Sequence, residues 1–159
     1  MIVRSASPQD APAMASLLNR IIRIGGTTAH QHEKTPQKVR TDYIDGPDAL
    51  CCHVAEEAGQ VIGFQALGRH DGLPAGWGDI GTFVTPDSQA RGTGAALFAA
   101  TSAAARGLGL TTINATIRAD NVPGLAYYAR IGFTDYAHEP DWALQDGTVT
   151  GRISRRFDL

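Results

Sequence analysis

Hydrophobic and polar residues follow two periods along this chain, and the change between them separates predicted strands from predicted helices. Short alternating or continuous apolar runs predict strands. They occur at residues 2–4, 50–55, 61–67, 80–84, 111–117, 134–137 and 148–157. The run Glu57-Ala58-Gly59-Gln60 predicts a hairpin between the second and third strands, and Asp146-Gly147 predicts another near the end of the chain.

Apolar residues spaced at three and four predict four helices between these strands. The first begins with an N-cap at Ser7 followed by Pro8, the second is short and covers residues 35–44, and the fourth runs from an N-cap at Asn121 to Gly132. The buried faces predicted for the first and third helices are Met14, Leu17, Leu18 and Ile21, and Leu97, Ala100, Ala104 and Leu108. The resulting order is β-α-α-β-β-β-α-β-α-β-β.

The composition narrows the class of protein. With 159 residues, 43% of them hydrophobic, the chain is long enough for a proper core, and a single domain over residues 1–159 is expected. A net charge of −2 argues against a nucleic-acid partner. The sequence shows neither an apolar run of about 18 residues nor a charged-then-apolar leader, which favours a cytoplasmic protein without a membrane partner. Cys51 and Cys52 are adjacent in a predicted strand and are expected to be reduced core residues on opposite faces.

A glycine-containing loop at residues 89–94 leads from a predicted strand into the third helix. The first N–H groups of a helix and its dipole favour a bound anion, and Gly92 and Gly94 let an anion approach the backbone closely. A nucleotide P-loop would need a Lys-Ser or Lys-Thr pair where Ala95 and Ala96 stand, so that motif fails. A dinucleotide fingerprint would need a small residue at Leu97 and therefore fits poorly.

The order Val84-x-Pro86-x-x-Gln89-x-x-Gly92-x-Gly94 resembles the acetyl-CoA pyrophosphate loop of the GNAT N-acetyltransferase superfamily. Further along, Asn121, Tyr128 and Gly132-Phe133 match a second region of that superfamily, which has an Asn, a short helix ending near a Tyr or His, and then Gly-Phe. The element order also agrees, so the resemblance covers the whole chain. It implies an α/β fold, mixed α+β in character, with a central mixed β-sheet of about seven strands flanked by helices.

The resemblance implies acetyl-CoA as the cosubstrate and also the residues that bind it. These are Phe83, Val84, Gln89, Ala90, Arg91, Gly92, Thr93, Gly94, Ala95 and Asn121. The pyrophosphate is expected on backbone N–H groups of residues 90–95, and Asn121 is expected beside the pantetheine arm. A backbone N–H near Phe83 or Val84, where the family has a bulge, is expected to hold the substrate oxygen that becomes charged.

Two side chains are implied as catalytic. Acetyl transfer to an amine requires a group that removes a proton from the ammonium ion and a group that protonates the departing thiolate. Asp79 lies where the phosphinothricin-acetyltransferase-like branch carries a Glu, and it is the candidate base, acting directly or through water. A solvated carboxylate at a strand end is the alternative for Asp79. Tyr128 follows Asn121 where the family keeps a Tyr or His and is the candidate proton donor, with an ordinary core residue as the alternative.

The polar segment at residues 25–36 resembles the stretch that lines the acceptor pocket in the same branch. This implies acceptor contacts from Thr28, His30 and Glu33. No metal is expected, because His30 and His32 have no third ligand at a fixed spacing. A second polar and aromatic cluster, His138, Glu139 and Trp142, is expected to close the acceptor site or to form an oligomer contact.

The sequence therefore predicts an acetyl-CoA-dependent N-acetyltransferase. The acceptor is the amine of a small molecule, with an amino acid or an analogue of one as a candidate, and the transfer is direct within a ternary complex. A noncatalytic acyl-CoA-binding module and a protein or peptide N-acetyltransferase stay open as alternatives, and so does a homodimer.

Overall fold

Seven strands form one mixed sheet in the part of the chain that the structure describes. The computed structural model describes residues 1–86 and 92–159. The strands are β1 (Ile2–Ser5), β2 (Ala49–Glu57), β3 (Gln60–Gly68), β4 (Trp77–Val84), β5 (Thr112–Arg118), β6 (Thr134–Glu139) and β7 (Arg152–Asp158). They lie in the order β1-β2-β3-β4-β5-β7-β6.

Helices lie between these strands in the predicted order, so the predicted fold class is confirmed. They are α1 (Ala11–Ile24), α2 (Pro36–Val39), α3 (Thr93–Gly107) and α4 (Val122–Arg130), with a 3-10 turn at Pro8–Asp10 before α1 and a π-helical turn at Arg40–Ile44 after α2. No helix within the described ranges has the length and apolar content needed to cross a bilayer.

The sheet opens between β4 and β5. β4 pairs with β3 in antiparallel register along Asp79 to Val84. Its parallel pairing with β5 consists of three residue pairs, the last of them Asp79 with Asn114. Beyond Asp79 no residue of β5 pairs with β4 in the described sheet, and β5 pairs with β7 along its full length instead. The edge of β4 from Ile80 onward therefore borders a gap in the sheet.

Two hydrophobic clusters lie on the two faces of the sheet. One includes the predicted stripe of α1 together with side chains of β2, β3 and β4. The other lies under α3 and α4. The first includes Met14, Leu18, Phe64 and Phe83, and the second includes Leu67, Phe98, Ile113 and Phe133. Cys52 belongs to the first cluster and Cys51 packs against the second, which confirms that they point to opposite faces.

The buried face of α3 differs from the predicted one. Leu97 is fully buried as expected, but Leu108 is 52% exposed. Thr101 and Ser102, which were not predicted to face inward, are buried together with Phe98. The helix is rich in alanine, so hydrophobicity does not distinguish its faces, and the two large side chains at its start decide its rotation.

Two strand boundaries also differ from the predicted ones. β4 begins at Trp77 rather than at residue 80, because Gly78 and Asp79 continue the ladder with β5 although neither residue favours a strand. β7 begins at Arg152 rather than at residue 148, and the turn at Asp146-Gly147 belongs to a small separate hairpin closed by one bridge between Ala143 and Val149. The predicted hairpin between β2 and β3 is confirmed.

An ion pair holds the start of α1 to the sheet. Arg4 of β1 donates two hydrogen bonds to the Asp10 carboxylate, at 2.8 and 2.9 Å, and the Ser7 N–H donates a third at 2.8 Å. Arg4 also donates to Glu56 of β2 at 3.4 Å. The hydrogen bonds from Arg4 hold the pKa of the buried Asp10 carboxyl below its ordinary value.

Replacing Asp10 with Asn should lower the free energy of unfolding by about 1–3 kcal/mol near neutral pH, since the variant loses charge-assisted bonds and leaves Arg4 without its main partner. Because the pKa is lowered in the folded state, this stabilisation is present above the ordinary pKa of Asp and is lost as the pH falls through the lowered value. Urea unfolding between about pH 7 and about pH 3 measures the difference. Asp45→Asn, in the exposed pair with Arg40, is the control and should change stability little. A deficit of constant size down to the lowest pH would contradict this account.

Candidate active site

A cleft of about 730 Å³ lies where β4 and β5 separate. The loop after α1 and the turn after α2 form one wall, and β4 forms another. The floor is the face of β5, β6 and β7 that lies opposite α3 and α4. Its side chains are polar, and they are Asn114, Thr116, Arg118, Tyr136, Arg152 and Ser154. A floor of this kind suits a polar ligand.

The edge of β4 at the gap presents backbone groups to the cleft. The Thr85 N–H donates to the Ile62 carbonyl of β3 at 2.8 Å. Hydrogen-bonded pairs alternate along an antiparallel ladder, so the backbone groups of Phe83 face β3 and those of Thr82 and Val84 face the gap. The register of β4 with β3 runs without a shift, so the expected bulge does not occur in this paired stretch. Val84 therefore offers its N–H to the gap, whereas Phe83 contributes its ring to the cleft wall.

Asp79 lies inside β4 with its carboxylate in the cleft, half-buried rather than solvated at a strand end. Its Oδ1 accepts a hydrogen bond from Asn114 Nδ2 at 2.8 Å. The Asn114 amide also donates to Thr116 Oγ1 at 3.0 Å and accepts from the Tyr136 hydroxyl, so its orientation is fixed. Burial raises the pKa of Asp79 above its ordinary value, against the bond from Asn114, which lowers it. The carboxylate is fixed in direction and more basic than a solvated Asp.

Tyr128 reaches the same cleft from the opposite face of the sheet. It is buried on α4, and its hydroxyl lies 2.8 Å from Thr82 Oγ1. Burial raises the pKa of Tyr128 far above its ordinary value, and the nearby Asp79 charge adds to the rise. The phenol therefore keeps its proton at neutral pH. The structure thus brings both predicted catalytic side chains to one cleft.

The start of α3 has the geometry expected for anion binding. Gly92 precedes the helix with φ of 86°, a left-handed conformation that favours glycine, and a Cβ there would meet nothing within 4 Å. The first backbone bond of the helix runs from the Ala96 N–H to the Gly92 carbonyl at 2.9 Å. The N–H groups of Gly94 and Ala95 therefore have no acceptor within the helix. The side chain of Thr93 is buried. The predicted contacts Gln89, Ala90 and Arg91 lie outside the described residues.

Gly94 has a second reason to be glycine, which the sequence did not reveal. Its φ is not in the left-handed region, but a Cβ there would lie 2.5 Å from Cε1 of Tyr127. The Tyr127 hydroxyl donates to the Gly94 carbonyl at 2.8 Å and accepts from Gln65 Nε2 at 3.1 Å. Tyr127 thus ties α4 to the first turn of α3. A tyrosine pair in an amphipathic helix is common, so nothing in the sequence singled out this residue.

Asn121 caps α4 and holds the loop after α1. Its Oδ1 accepts from the Gly124 N–H at 3.0 Å, as an N-cap does, and its Nδ2 donates to the Thr27 carbonyl at 3.0 Å. Arg118 donates to the neighbouring Thr28 carbonyl at 3.0 Å. Both strong contacts of the Asn121 side chain are thus made within the protein. Its expected place beside a pantetheine arm stays a prediction.

Of the three predicted acceptor contacts, Thr28 and His30 line the cleft and Glu33 does not. The His30 Nε2 lies 3.5 Å from the Tyr43 hydroxyl, and burial lowers the pKa of His30, so the ring is neutral near pH 7. Glu33 lines a smaller neighbouring pocket of about 490 Å³ and pairs with Arg23 at 2.5 Å. Glu139 and Trp142 of the second predicted cluster also line the cleft.

Most cations of the cleft have acidic partners. Lys34 pairs with Asp42 at 2.7 Å, Arg118 with Asp120 at 2.8 Å, and Arg152 with Glu139 at 3.0 Å. Arg69 differs from them. Its guanidinium donates to the Pro47 carbonyl at 3.1 Å and has no acidic partner within the described residues.

The cysteine thiols are unsuited to nucleophilic attack. Burial raises the pKa of Cys51 to about 11 and that of Cys52 to about 12, so both remain protonated at neutral pH. Within residues 1–86 and 92–159, no three His, Cys, Asp or Glu side chains come together as metal ligands.

Comparison with known proteins gives a family and a curated relative. A sequence profile described as the acetyltransferase (GNAT) family matches residues 14–133. Mycothiol acetyltransferase of Actinosynnema mirum is 29% identical over 107 residues, which are 67% of this chain and 35% of that protein. The chain therefore spans little more than a third of the length of this curated relative.

Solved structures of the same fold cover nearly the whole chain. A phosphinothricin acetyltransferase from Sinorhizobium meliloti, in complex with acetyl-CoA, has a TM-score of 0.84 and 16% identity, and the match covers 99% of this chain and 88% of that one. A ribosomal-protein-alanine N-acetyltransferase from Brucella melitensis has a TM-score of 0.84 and 18% identity, and the match covers 100% of both chains. At these identities the likeness shows the fold.

Replacing Gly94 with Ala should destabilise the protein by about 1–3 kcal/mol, because the Tyr127 ring must move away from the new Cβ. The matched control is Gly107→Ala in the same helix, where a Cβ meets nothing within 4 Å. That change should stabilise the protein by about 0.5–1 kcal/mol. Urea unfolding of both variants measures the difference. Equal behaviour of the two variants would show that Tyr127 does not pack against Gly94 as described.

Proposed function

Because the chain belongs to the acetyltransferase (GNAT) family, we propose that it transfers the acetyl group of acetyl-CoA to the amine of a small molecule that also carries an anionic group. An amino acid or an analogue of one has these features. The observation that carries the proposal is that Asp79 and Tyr128 line one cleft at the point where β4 and β5 part. Residues 1–159 act in this proposal as one domain.

The gap in the sheet suits acetyl-CoA. The pantetheine arm contains amide groups, and the backbone groups of Thr82 and Val84 that face the gap can bond to them as a neighbouring strand would. The first turn of α3, with the N–H groups of Gly94 and Ala95, supplies a binding place for the pyrophosphate. When bound there, acetyl-CoA supplies an acetyl thioester, from which the amine displaces the CoA thiol.

The residues of the chain handle the charges and protons of this exchange. Asp79 takes a proton from the acceptor ammonium, directly or through water, and its raised pKa makes it a better base than a solvated carboxylate. The Val84 N–H donates to the acetyl oxygen as negative charge develops on it. Tyr128 gives its hydroxyl proton to the sulfur as the C–S bond breaks. In balance, the C–N bond forms as the C–S bond breaks, and the nitrogen releases two protons. Asp79 passes one of them to solvent, and the other replaces, through solvent, the proton that Tyr128 gave to the sulfur.

The transfer is direct in this proposal, with both substrates bound at once. A covalent acetyl-enzyme would need a nucleophile in the cleft, whereas neither cysteine lines it and both thiols are protonated at neutral pH. A thioester is already activated toward an amine, so an additional covalent step would gain nothing.

Two features support a small anionic acceptor. Arg69 brings a positive charge without an acidic partner to the cleft, and it can bind a carboxylate or phosphinate. Gln31 of the loop after α1 accepts a hydrogen bond from the Asp146 N–H of the β6–β7 loop at 3.1 Å, so the loop that carries Thr28 and His30 is joined to the loop that carries Trp142 beside the cleft. Thr28 and His30 also line the cleft and offer polar contacts. The names of the mycothiol and phosphinothricin enzymes fit a small acceptor, whereas the name of the Brucella enzyme points to a protein.

Thiol release from acetyl-CoA should be fastest with free amino acids or their analogues, and slower with the matching amides, with polyamines and with a peptide that begins with alanine. Arg69→Gln should raise KM for the anionic acceptor roughly 10-fold or more and leave KM for acetyl-CoA unchanged, the result expected when a binding contact is lost. The control is Arg23→Gln, since Arg23 pairs with Glu33 outside the cleft. A preference for the peptide or for polyamines would make the small anionic acceptor wrong. Absence of thiol release with every amine would favour a noncatalytic acyl-CoA-binding module.

The pH profile should report Asp79. The base works when deprotonated, so kcat/KM should fall as the pH drops through its raised pKa. Asn114→Leu removes the hydrogen bond that stabilises the carboxylate, raises the pKa further and should move this acid limb to higher pH. Thr116→Val keeps the bond from Asn114 to Asp79 and should leave the limb in place. Asp79→Asn should lower the rate roughly 100-fold or more. An acid limb that does not move in Asn114→Leu would show that another group is the base.

A further inference from the structure

A buried chain of hydrogen bonds leads from the middle of the sheet to Tyr128. Gln65 of β3 is fully buried, and its Nε2 donates to Thr82 Oγ1 at 2.9 Å and to the Tyr127 hydroxyl at 3.1 Å. Both hydrogens of its NH₂ group are thereby used, whereas its carbonyl oxygen has no partner within the described residues. Burying an unpaired carbonyl is unfavourable, so a glutamine at this place indicates a need for its donors.

The Gly94 carbonyl fixes the direction of the bonds at the far end of this chain. The Gly94 carbonyl has no hydrogen, so the Tyr127 hydroxyl must donate to it at 2.8 Å. Having one hydrogen, the Tyr127 hydroxyl can then only accept from Gln65, which fixes the NH₂ group of Gln65 on this side. The same nitrogen donates to Thr82 Oγ1.

The single hydrogen of the Thr82 hydroxyl can be donated to Tyr128. The Tyr128 oxygen is its hydrogen-bonded neighbour at 2.8 Å. If Thr82 donates there, Tyr128 does not need to spend its own hydrogen on Thr82, and that hydrogen is free to point into the cleft. A bond donated by Thr82 also favours the phenolate that remains after Tyr128 has given up its proton.

We propose that Gln65 and Thr82 are positioning residues for Tyr128, because they orient the hydroxyl chain so that the Tyr128 proton faces the cleft. This inference rests on the proposed function, in which Tyr128 protonates the CoA sulfur. The same Gln65 amide holds Tyr127 against Gly94, so one buried side chain links the proton donor to the first turn of α3. Neither residue touches the reacting atoms in this account.

A double-mutant cycle between Thr82 and Tyr128 tests the inference. Thr82→Val keeps the shape but removes the hydroxyl, and should lower kcat roughly 10- to 100-fold with little change in KM for acetyl-CoA. Thr82→Ser restores a hydroxyl and should recover most of kcat. In a Tyr128→Phe background, Thr82→Val should cost no further kcat, because Thr82 acts through the phenol. The matched control is Thr101→Val, which removes a buried hydroxyl that has no described partner and lies outside the cleft.

The outcomes separate this inference from the proposed function. If Tyr128→Phe is slow but Thr82→Val turns over at the wild-type rate, the inference is wrong and the proton donor stands. If the two changes multiply in the double variant, Thr82 does not act through Tyr128 and the inference is also wrong. If Tyr128→Phe itself keeps the wild-type rate, both are wrong. Gln65→Met is a second variant, and it should lower kcat and also raise KM for acetyl-CoA through Tyr127. An unchanged kcat in folded Gln65→Met would show that Gln65 does not position Tyr128.

Discussion

The candidate site depends on the short length of the pairing between β4 and β5. Three residue pairs hold the strands together, and beyond Asp79 the edge of β4 borders a gap. Continuous pairing with β3 keeps β4 in place there, and β5 is held by β7. Backbone N–H and C=O groups at such an edge need partners, which makes the gap a place for an extended polar ligand. Side chains from both faces of the sheet can reach it, as Asp79 and Tyr128 do.

Burial raises the pKa of both acids in the cleft, and the consequence differs between a carboxyl and a phenol. The raised pKa of the Asp79 carboxyl makes its carboxylate a better proton acceptor, and the raised pKa of the Tyr128 phenol keeps it protonated at neutral pH. Each group also has a hydrogen-bonded neighbour that lowers its pKa against the effect of burial. This neighbour is Asn114 for Asp79 and Thr82 for Tyr128. Asn114 donates to Asp79 and thereby fixes the direction of its carboxylate, and Thr82 lies within hydrogen-bond distance of the Tyr128 hydroxyl. In the proposed function, the polar residues that matter for the chemistry therefore extend beyond those in contact with a substrate.

The wall of the cleft depends on contacts between distant parts of the chain. Arg118 and Asn121, at the end of β5 and the start of α4, hold the carbonyls of Thr28 and Thr27. The loop after α1 is thereby attached to the strand that forms the floor. Any movement of this loop would change the wall and the floor together.

The sequence by itself determined the order of the elements, the stripe of α1, the caps and the two motifs, because periodicity and local turn chemistry are properties of neighbouring residues. It also singled out Asp79 and Tyr128, through the resemblance that their spacing supports. Only the tertiary structure decided which face of the alanine-rich α3 is buried and that Gly94 makes room for Tyr127. It also decided that Asn114 bonds to Asp79 and that Thr82, itself bonded to Gln65, lies beside the Tyr128 hydroxyl. These depend on the register between strands and on packing across the sheet, where partners such as Gln65 and Tyr127 lie 62 positions apart. No local pattern specifies a contact at that distance.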